Sequence, residues 1–174
     1  MQCKKGDEHM KASMTEKKCI VILANDASSF TLKEAVRKHL ENLDYDVVDL
    51  GTENTDTPMS YVEAGERVAI AVRKADAKGI LFCGSGAGVM LAANKHKGVY
   101  AVVCESVETA RSARVINDAN VLCMGANILE ESLAMEMAEI FLMTGFVEGL
   151  TNRSEEKVRN FVCEVRKIEE SEFK

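Results

Sequence analysis

The run Gly79-Ile80-Leu81-Phe82-Cys83-Gly84-Ser85-Gly86-Ala87-Gly88-Val89-Met90-Leu91-Ala92-Ala93-Asn94-Lys95 decides the fold. Its opening, Ile80 to Phe82, is a short apolar run of the kind that forms a buried strand, and its close, Val89 to Lys95, reads as a helix. Between them a glycine stands at every second position. Gly84, Gly86 and Gly88 are free to take positive φ and let a ligand approach the backbone. A strand that turns through glycines into a helix start aims several backbone N–H groups at one spot. With the helix dipole they suit a phosphate or an oxyanion. Cys83 stands at the lip of the turn, where a thiol is expected to have a lowered pKa and a larger thiolate fraction. A plainer alternative exists: such turns are common in α/β folds, and a cysteine in an apolar run is often a small core hydrophobe. No Gly-Lys-Ser/Thr closes the loop, so it is not a Walker A sequence. As a dinucleotide fingerprint it fits poorly, since the third glycine falls at Val89. Glu105, after the following strand, has about the spacing of a ribose contact and keeps that alternative open.

Upstream, Cys19 to Ala24 is a continuous apolar run, typical of a parallel strand covered on both faces. It ends in Asn25-Asp26-Ala27-Ser28-Ser29. Ser28 or Ser29 is placed to cap a helix over Thr31–Leu43, whose inner stripe is Leu32, Val36, Leu40 and Leu43. Asp26 then lies at the carboxyl end of the first strand, where open α/β sheets bind ligands, unless it only caps the helix. Tyr45–Leu50 is a second strand. Past Pro58, a helix over Ser60–Lys74 carries Tyr61 in its first turn, either a ligand contact or core. Downstream come a fourth strand over Gly98–Cys104, a helix over Val107–Val115, a fifth strand over Asn120–Met124 and a helix over Glu131–Thr144. Five β-α units imply one α/β domain over residues 18–150, a doubly wound, Rossmann-like or flavodoxin-like five-stranded parallel sheet. If the strand order reverses between the first and third strands, Asp26 and Cys83 face one crevice. Residues 1–17 read as a flexible extension. Residues 151–174 form a C-terminal helical extension with Val158, Phe161, Val162, Val165 and Ile168 at helical spacing. That stripe packs on its own domain or, the favoured reading, on a partner subunit.

The bulk properties narrow the class. Of 174 residues, 47% are hydrophobic, enough to bury a core in one globular domain. A net charge of −6 argues against nucleic acid as partner. No apolar run reaches membrane-spanning length, so no membrane association is expected, and the polar Met1–Lys18 lacks the apolar core of a signal peptide. Cys3, Cys19, Cys83, Cys104, Cys123 and Cys163 lack paired spacing, which points to reduced thiols in a cytoplasmic protein rather than to a disulfide framework or a zinc site.

Over Cys19–Phe146 the chain resembles the ribose-5-phosphate isomerase B family, which includes the paired subunits of galactose-6-phosphate isomerase. Cys83-Gly84-Ser85-Gly86-Ala87-Gly88 with Ala92-Ala93-Asn94-Lys95, and Asn117-Asp118-Ala119-Asn120-Val121, carry the resemblance. Leu50-Gly51-Thr52 and Ala110-Arg111-Ser112-Ala113-Arg114 support it. The resemblance implies aldose–ketose isomerisation of a small-molecule sugar phosphate by proton transfer between C1 and C2, with ribose 5-phosphate and ribulose 5-phosphate of the pentose phosphate pathway as the expected pair. Cys83 matches the base. Ser85 matches a threonine and keeps its hydroxyl, and the amides of Gly84, Ser85, Gly86, Ala87 and Gly88 match the cradle of the enediolate. Asp26, Tyr61 and Asn117 match substrate contacts. Arg153 and Lys157 match, less securely than the loop residues, two phosphate-binding arginines that a partner subunit supplies, so a homodimer with a shared site, or a dimer of such dimers, is implied. Neither a metal nor an organic cofactor is called for.

Several positions depart from the pattern. Ala27 and Ser154 stand where the family has histidine, and Asn127 where it has arginine. Ile116 replaces the histidine assigned to opening the sugar ring. Isoleucine transfers no proton, so ring opening needs another group, such as Asp26 or the more remote Glu105, or occurs spontaneously, or the substrate is open-chain. His9, His39 and His96 fall outside the matching positions. Two alternatives therefore stand beside the pentose reading: an isomerase of another sugar phosphate, such as a galactose-6-phosphate isomerase subunit or another hexose-phosphate isomerase, and a sugar-phosphate-binding relative without turnover.

Overall fold

The structure is a computed structural model and describes residues 20–52, 58–75 and 77–173. The expected extension over residues 1–17, and with it Cys3 and His9, lies outside the described residues. Five apolar runs become parallel strands: β1 (Ile20–Asn25), β2 (Asp46–Asp49), β3 (Lys78–Cys83), β4 (Ala101–Val103) and β5 (Val121–Gly125). Between and after them lie α1 (Phe30–Asn42), α2 (Tyr61–Ala75), α3 (Ala87–Ala93), α4 (Val107–Asn117), α5 (Glu131–Met143) and α6 (Glu155–Glu172). The sheet order is β2-β1-β3-β5-β4. From β1 the chain moves one way to β2 and the other way to β3, so the order reverses where β1 and β3 lie side by side. Ligands of open α/β sheets enter at such a point.

Alternation along the strands separates two cores. Val21, Leu23, Ile80, Phe82, Leu122 and Met124 face α1, α4 and α5. Ile22, Ala24, Leu81, Cys83, Val121 and Cys123 face α2 and α3. β5 is wholly buried and takes an inner position, while three-residue β4 takes the edge, where short strands are safest. β4 is shorter than its apolar run suggests. Gly98 turns the chain at φ +81°, and the Tyr100 N–H is taken by the Asn120 side chain at 2.8 Å rather than by a neighbouring strand.

The C-terminal α6 lies against its own domain. Val158 is buried, Arg166 pairs with Asp118 at 2.8 Å, and the Glu169 carboxylate accepts from Gly98 N–H at 2.6 Å and Tyr100 O–H at 2.8 Å. Burial, reinforced by that carboxylate, pushes the Tyr100 phenol up. Val162 is half-buried, and the remaining three residues of the expected stripe stay in the open: Phe161 is 51%, Val165 53% and Ile168 63% exposed.

Candidate functional site

The edge where the strands end carries the first group of candidates. β1 closes on Asn25, and Asp26 begins a 3-10 turn over Ala27–Ser29. The Asp26 Oδ1 accepts from Ser28 N–H at 2.9 Å, Ser28 O–H at 2.7 Å and Ser29 O–H at 2.9 Å. Capping here thus falls to Asp26, not to the serines, because their hydroxyls are spent on its carboxylate. Asn25 fixes the strand end: its Nδ2 donates to Asp26 O at 2.8 Å and to Thr52 Oγ1 at 3.1 Å, and its Oδ1 accepts from Thr52 N–H at 3.1 Å. Thr52 is held in turn by Lys33, which is fully buried, pairs with Asp49 and Glu34, and donates to Thr52 O at 3.2 Å. A buried cation survives only with such partners. The Arg37 guanidinium, with Lys33 also beside it, holds the Glu34 carboxyl down to about 2. Lys33, Asn25 and Thr52 escaped the sequence reading. The readable signal was a lysine set inside the apolar stripe Leu32, Val36 and Leu40.

β3 ends beside β1 on Cys83, level with Gly125 of β5. The thiol is 4% exposed, on the α2–α3 side of the sheet, and its Sγ accepts from Gly86 N–H at 3.1 Å. Of the three alternating glycines only Gly86 has positive φ, +78°, at the N-cap of α3. A Cβ there would meet Val103 Cγ2 at 2.7 Å. Gly88 is needed for a different reason: a Cβ there would meet the Tyr61 ring at 2.9 Å, so the helix start and the tyrosine approach through the missing side chain. At Gly84 the neighbours of a Cβ would be Asn127 Nδ2 at 3.0 Å and Ser28 Oγ at 3.5 Å. The loop therefore gathers Asp26, Ala27, Ser28, Tyr61, Cys83, Ser85, Ala87 and Asn127 around one strand edge. The N–H groups that open α3 have no partner within the helix there. Burial pushes the Cys104 thiol up, and the Cys123 thiol well above the usual thiol range.

The second group sits at the edge where the strands begin. α4 runs back against the sheet, so Ile116 and Asn117 at its end come level with the start of β4. With Asn94, Tyr100, Arg153, Phe161 and Val165 they line a cavity of about 530 Å³. Lys157 is exposed on the first turn of α6. Four residue steps of β3 separate the two edges, about 13 Å of strand. Within one protomer the structure does not bring Asn117, Arg153 or Lys157 to Cys83. Glu105 stands exposed after edge strand β4, with β5 between that strand and β3.

Comparison with known proteins agrees with this architecture. The family model described as Ribose/Galactose Isomerase matches residues 21–161. A protein of Clostridium sp. (strain MSTE9) named 4-deoxy-4-sulfo-D-erythrose isomerase is 40% identical over 155 residues, 88% of this chain and 98% of that one. A probable ribose-5-phosphate isomerase B of Mycoplasma genitalium is 37% identical over 140 residues, 79% of this chain and 92% of that one. The crystal structure of ribose-5-phosphate isomerase B from Mycoplasma genitalium with bound ribulose-5-phosphate superposes with a TM-score of 0.78 at 33% identity, covering 87% of this chain and 96% of that one.

Proposed function

The chain belongs to the ribose/galactose isomerase family, a family of enzymes, and on that premise we propose that it interconverts an aldose and a ketose carrying a terminal anion, with Cys83 as the base. The observation that carries this reading is the placement of Cys83: its sulfur is pinned by Gly86 N–H where β1 and β3 diverge, beside Asp26 and the amides of the glycine loop. A thiolate at that point takes the proton from C2 of the aldose. The C–H electron pair moves into the C1–C2 bond, and negative charge appears on the carbonyl oxygen. Preorganised backbone donors of the loop stabilise that charge without moving, each worth roughly 3 kcal/mol in comparable oxyanion holes; Gly86 N–H is not among them, being held by the sulfur, and Ala87 N–H already meets Ser85 Oγ at 3.4 Å. Returning the carbon-bound proton to C1 while the O2 proton passes to O1 yields the ketose. Asp26, Tyr61, Ser85 and Asn127 orient the sugar. No metal or organic cofactor enters these steps.

The phosphate ligands of this scheme are Arg153 and Lys157, with Asn117 beside them on the sugar. They sit on the opposite strand edge from Cys83 in the same chain, which supports a homodimer in which each protomer lends that edge to its partner's cysteine. The exposed Phe161, Val165 and Ile168 of α6 support the same arrangement, since a stripe of that kind is covered by a second surface. Lysine at position 157 keeps the charge of an arginine but not its bidentate fork.

Two substrates follow from the relatives. Ribose 5-phosphate is favoured by the Mycoplasma protein and its ribulose-5-phosphate complex. A four-carbon sulfo sugar is favoured by the Clostridium protein, whose identity and coverage are both higher. The test of the cysteine is common to both. Cys83→Ala and Cys83→Ser are expected to lose about 1000-fold in turnover, within the range of a positioned acid–base group, while circular dichroism stays unchanged. The serine variant keeps an acceptor for Gly86 N–H, so its loss reports chemistry and not folding. Full turnover in Cys83→Ser would remove the cysteine from the mechanism.

A further inference from the structure

The arginines of this chain divide by what they hold. Arg37, Arg67, Arg114, Arg159 and Arg166 each meet a carboxylate within 3.1 Å. Arg73, Arg111 and Arg153 meet none, and nothing among the described residues takes up their donors. Arg73 lies apart, in the last turn of α2. Arg111 and Arg153 line one cavity of about 340 Å³, between α4 and the segment that leads into α6. The helical period sets Arg111 on the same stripe of α4 as Ile116, and Ile116 and Arg153 also line the 530 Å³ cavity that holds Asn117. The two cavities therefore adjoin. Lys157 lines neither. Two acids share the smaller cavity, and both leave the guanidinium groups open. The Glu148 carboxylate is turned to Gly145 N–H at 2.6 Å, and Glu108, one turn before Arg111, pairs with neither arginine. A guanidinium presents its donors as a planar fork that matches an oxyanion in two places at once. Two such groups facing one cavity repel each other until an anion comes between them.

We infer that Arg111 grips the terminal oxyanion of the substrate together with Arg153, and that Lys157 contributes less than either. The inference rests on the isomerase reading, in which Asn117 and Arg153 meet the sugar and its anion. Arg153 reaches that anion from the lead-in to α6, and Arg111 reaches it from α4 through the adjoining cavity. The anion is thus held between two elements of one chain. Lys157 offers a point charge without a fork, and it faces neither cavity. The carrying juxtaposition is Arg111 and Arg153, two unpaired guanidinium groups, in one cavity.

The test uses the full purified chain, with ribose 5-phosphate and 4-deoxy-4-sulfoerythrose as substrates and inorganic phosphate as a separate probe of the anion site. For the sugar that is turned over better, Arg111→Ala should raise KM about tenfold or more and leave kcat within about twofold, as loss of hydrogen bonds to a charged group predicts. Inorganic phosphate, followed by calorimetry and as a competitive inhibitor, should weaken by the same factor. Arg111→Lys keeps the charge without the fork and should recover part of the loss. Lys157→Ala should raise KM by about threefold or less, as an exposed charge predicts. A smaller rise in Arg111→Ala, or a larger one in Lys157→Ala than in Arg111→Ala, overturns the inference and leaves the isomerase reading standing. Phosphate binding that is lost in Arg111→Ala while KM stays unchanged overturns it too, because the anion held there is then not the substrate's. If neither sugar is turned over, the isomerase reading falls. Phosphate binding that Arg111→Ala still abolishes then supports the anion site, and binding that it leaves untouched overturns it.

Discussion

The strand ends and the strand beginnings of this sheet are finished to different degrees. At the ends, Asp26 caps its turn and accepts from two serine hydroxyls, Asn25 is locked to Thr52, and the Cys83 sulfur is held by its own loop. Geometry there is set within one chain. At the beginnings, Ile116, Asn117 and Arg153 line an open cavity roofed by α6, and Phe161 and Val165 are half in solvent. The contrast is what a shared site requires. In the shared site proposed above, the chemistry is preorganised within one chain and the edge with Asn117 and Arg153 is completed by a second protomer.

The sharpest way to break that contrast is to disable each edge in a different protomer. Arg153→Ala alone should lower kcat/KM about 100-fold, mostly through KM, as loss of a charge-assisted contact predicts. Mixing it with Cys83→Ala and re-equilibrating should restore about a quarter of wild-type activity, since half the dimers are mixed and each mixed dimer has one intact site. No recovery, in a sample shown by mass spectrometry to contain mixed dimers, would mean the edges do not cooperate across a subunit boundary.

Two glycines with nearly equal φ sharpen it further. Gly86 at the strand ends has φ +78° and packed neighbours, whereas Gly98 at the beginnings has φ +81° and nothing within 4 Å of the point a Cβ would occupy. Gly86→Ala should cost about 3 kcal/mol and the activity with it, and Gly98→Ala about 1 kcal/mol with activity retained. Thermal melts on both variants read the difference. Equal losses would show that backbone strain alone, not packing, sets the cost.

The smallest expected effect concerns the scaffold behind Asp26. Glu34 is held down to about 2 by Arg37 and Lys33, so its contribution to stability is complete above pH 4.5 and is lost as the pH falls toward about 2. Because the pair is partly solvated, that contribution is about 1 kcal/mol or less. Glu34→Gln should flatten the acid limb of denaturant midpoints measured between pH 5 and 2.5. An unchanged limb would assign acid sensitivity to other carboxylates.

Much of this is legible in the sequence. Continuous apolar runs such as Cys19–Ala24 and Ile80–Phe82 announce strands covered on both faces. The alternating glycines after Cys83 announce a tight turn into a helix. The role of each glycine is less readable: Gly84 and Gly88 are open to positive φ in principle, yet Gly88 is demanded by the Tyr61 ring and Gly84 lies against Asn127. Asp26 as the cap, with Ser28 and Ser29 as its donors, depends on hydrogen-bond directions that a one-letter string does not carry. Residues 1–19 and 53–57 lie outside the described residues.

From its order of apolar and polar residues alone, this chain determines a β-α alternation and a cysteine at the mouth of a glycine turn. Those are local facts, set by side-chain chemistry and by periods of two and 3.6 residues. Tertiary structure alone decided that β5 enters between β3 and β4, that Lys33 and Thr52 brace Asp26, and that Asn117 and Arg153 lie across the sheet from Cys83. The reason is that these depend on pairings between segments far apart in the chain, where long β5 gains more from burial than short β4 does, and a helix that runs back along the sheet carries its last residues to the far edge.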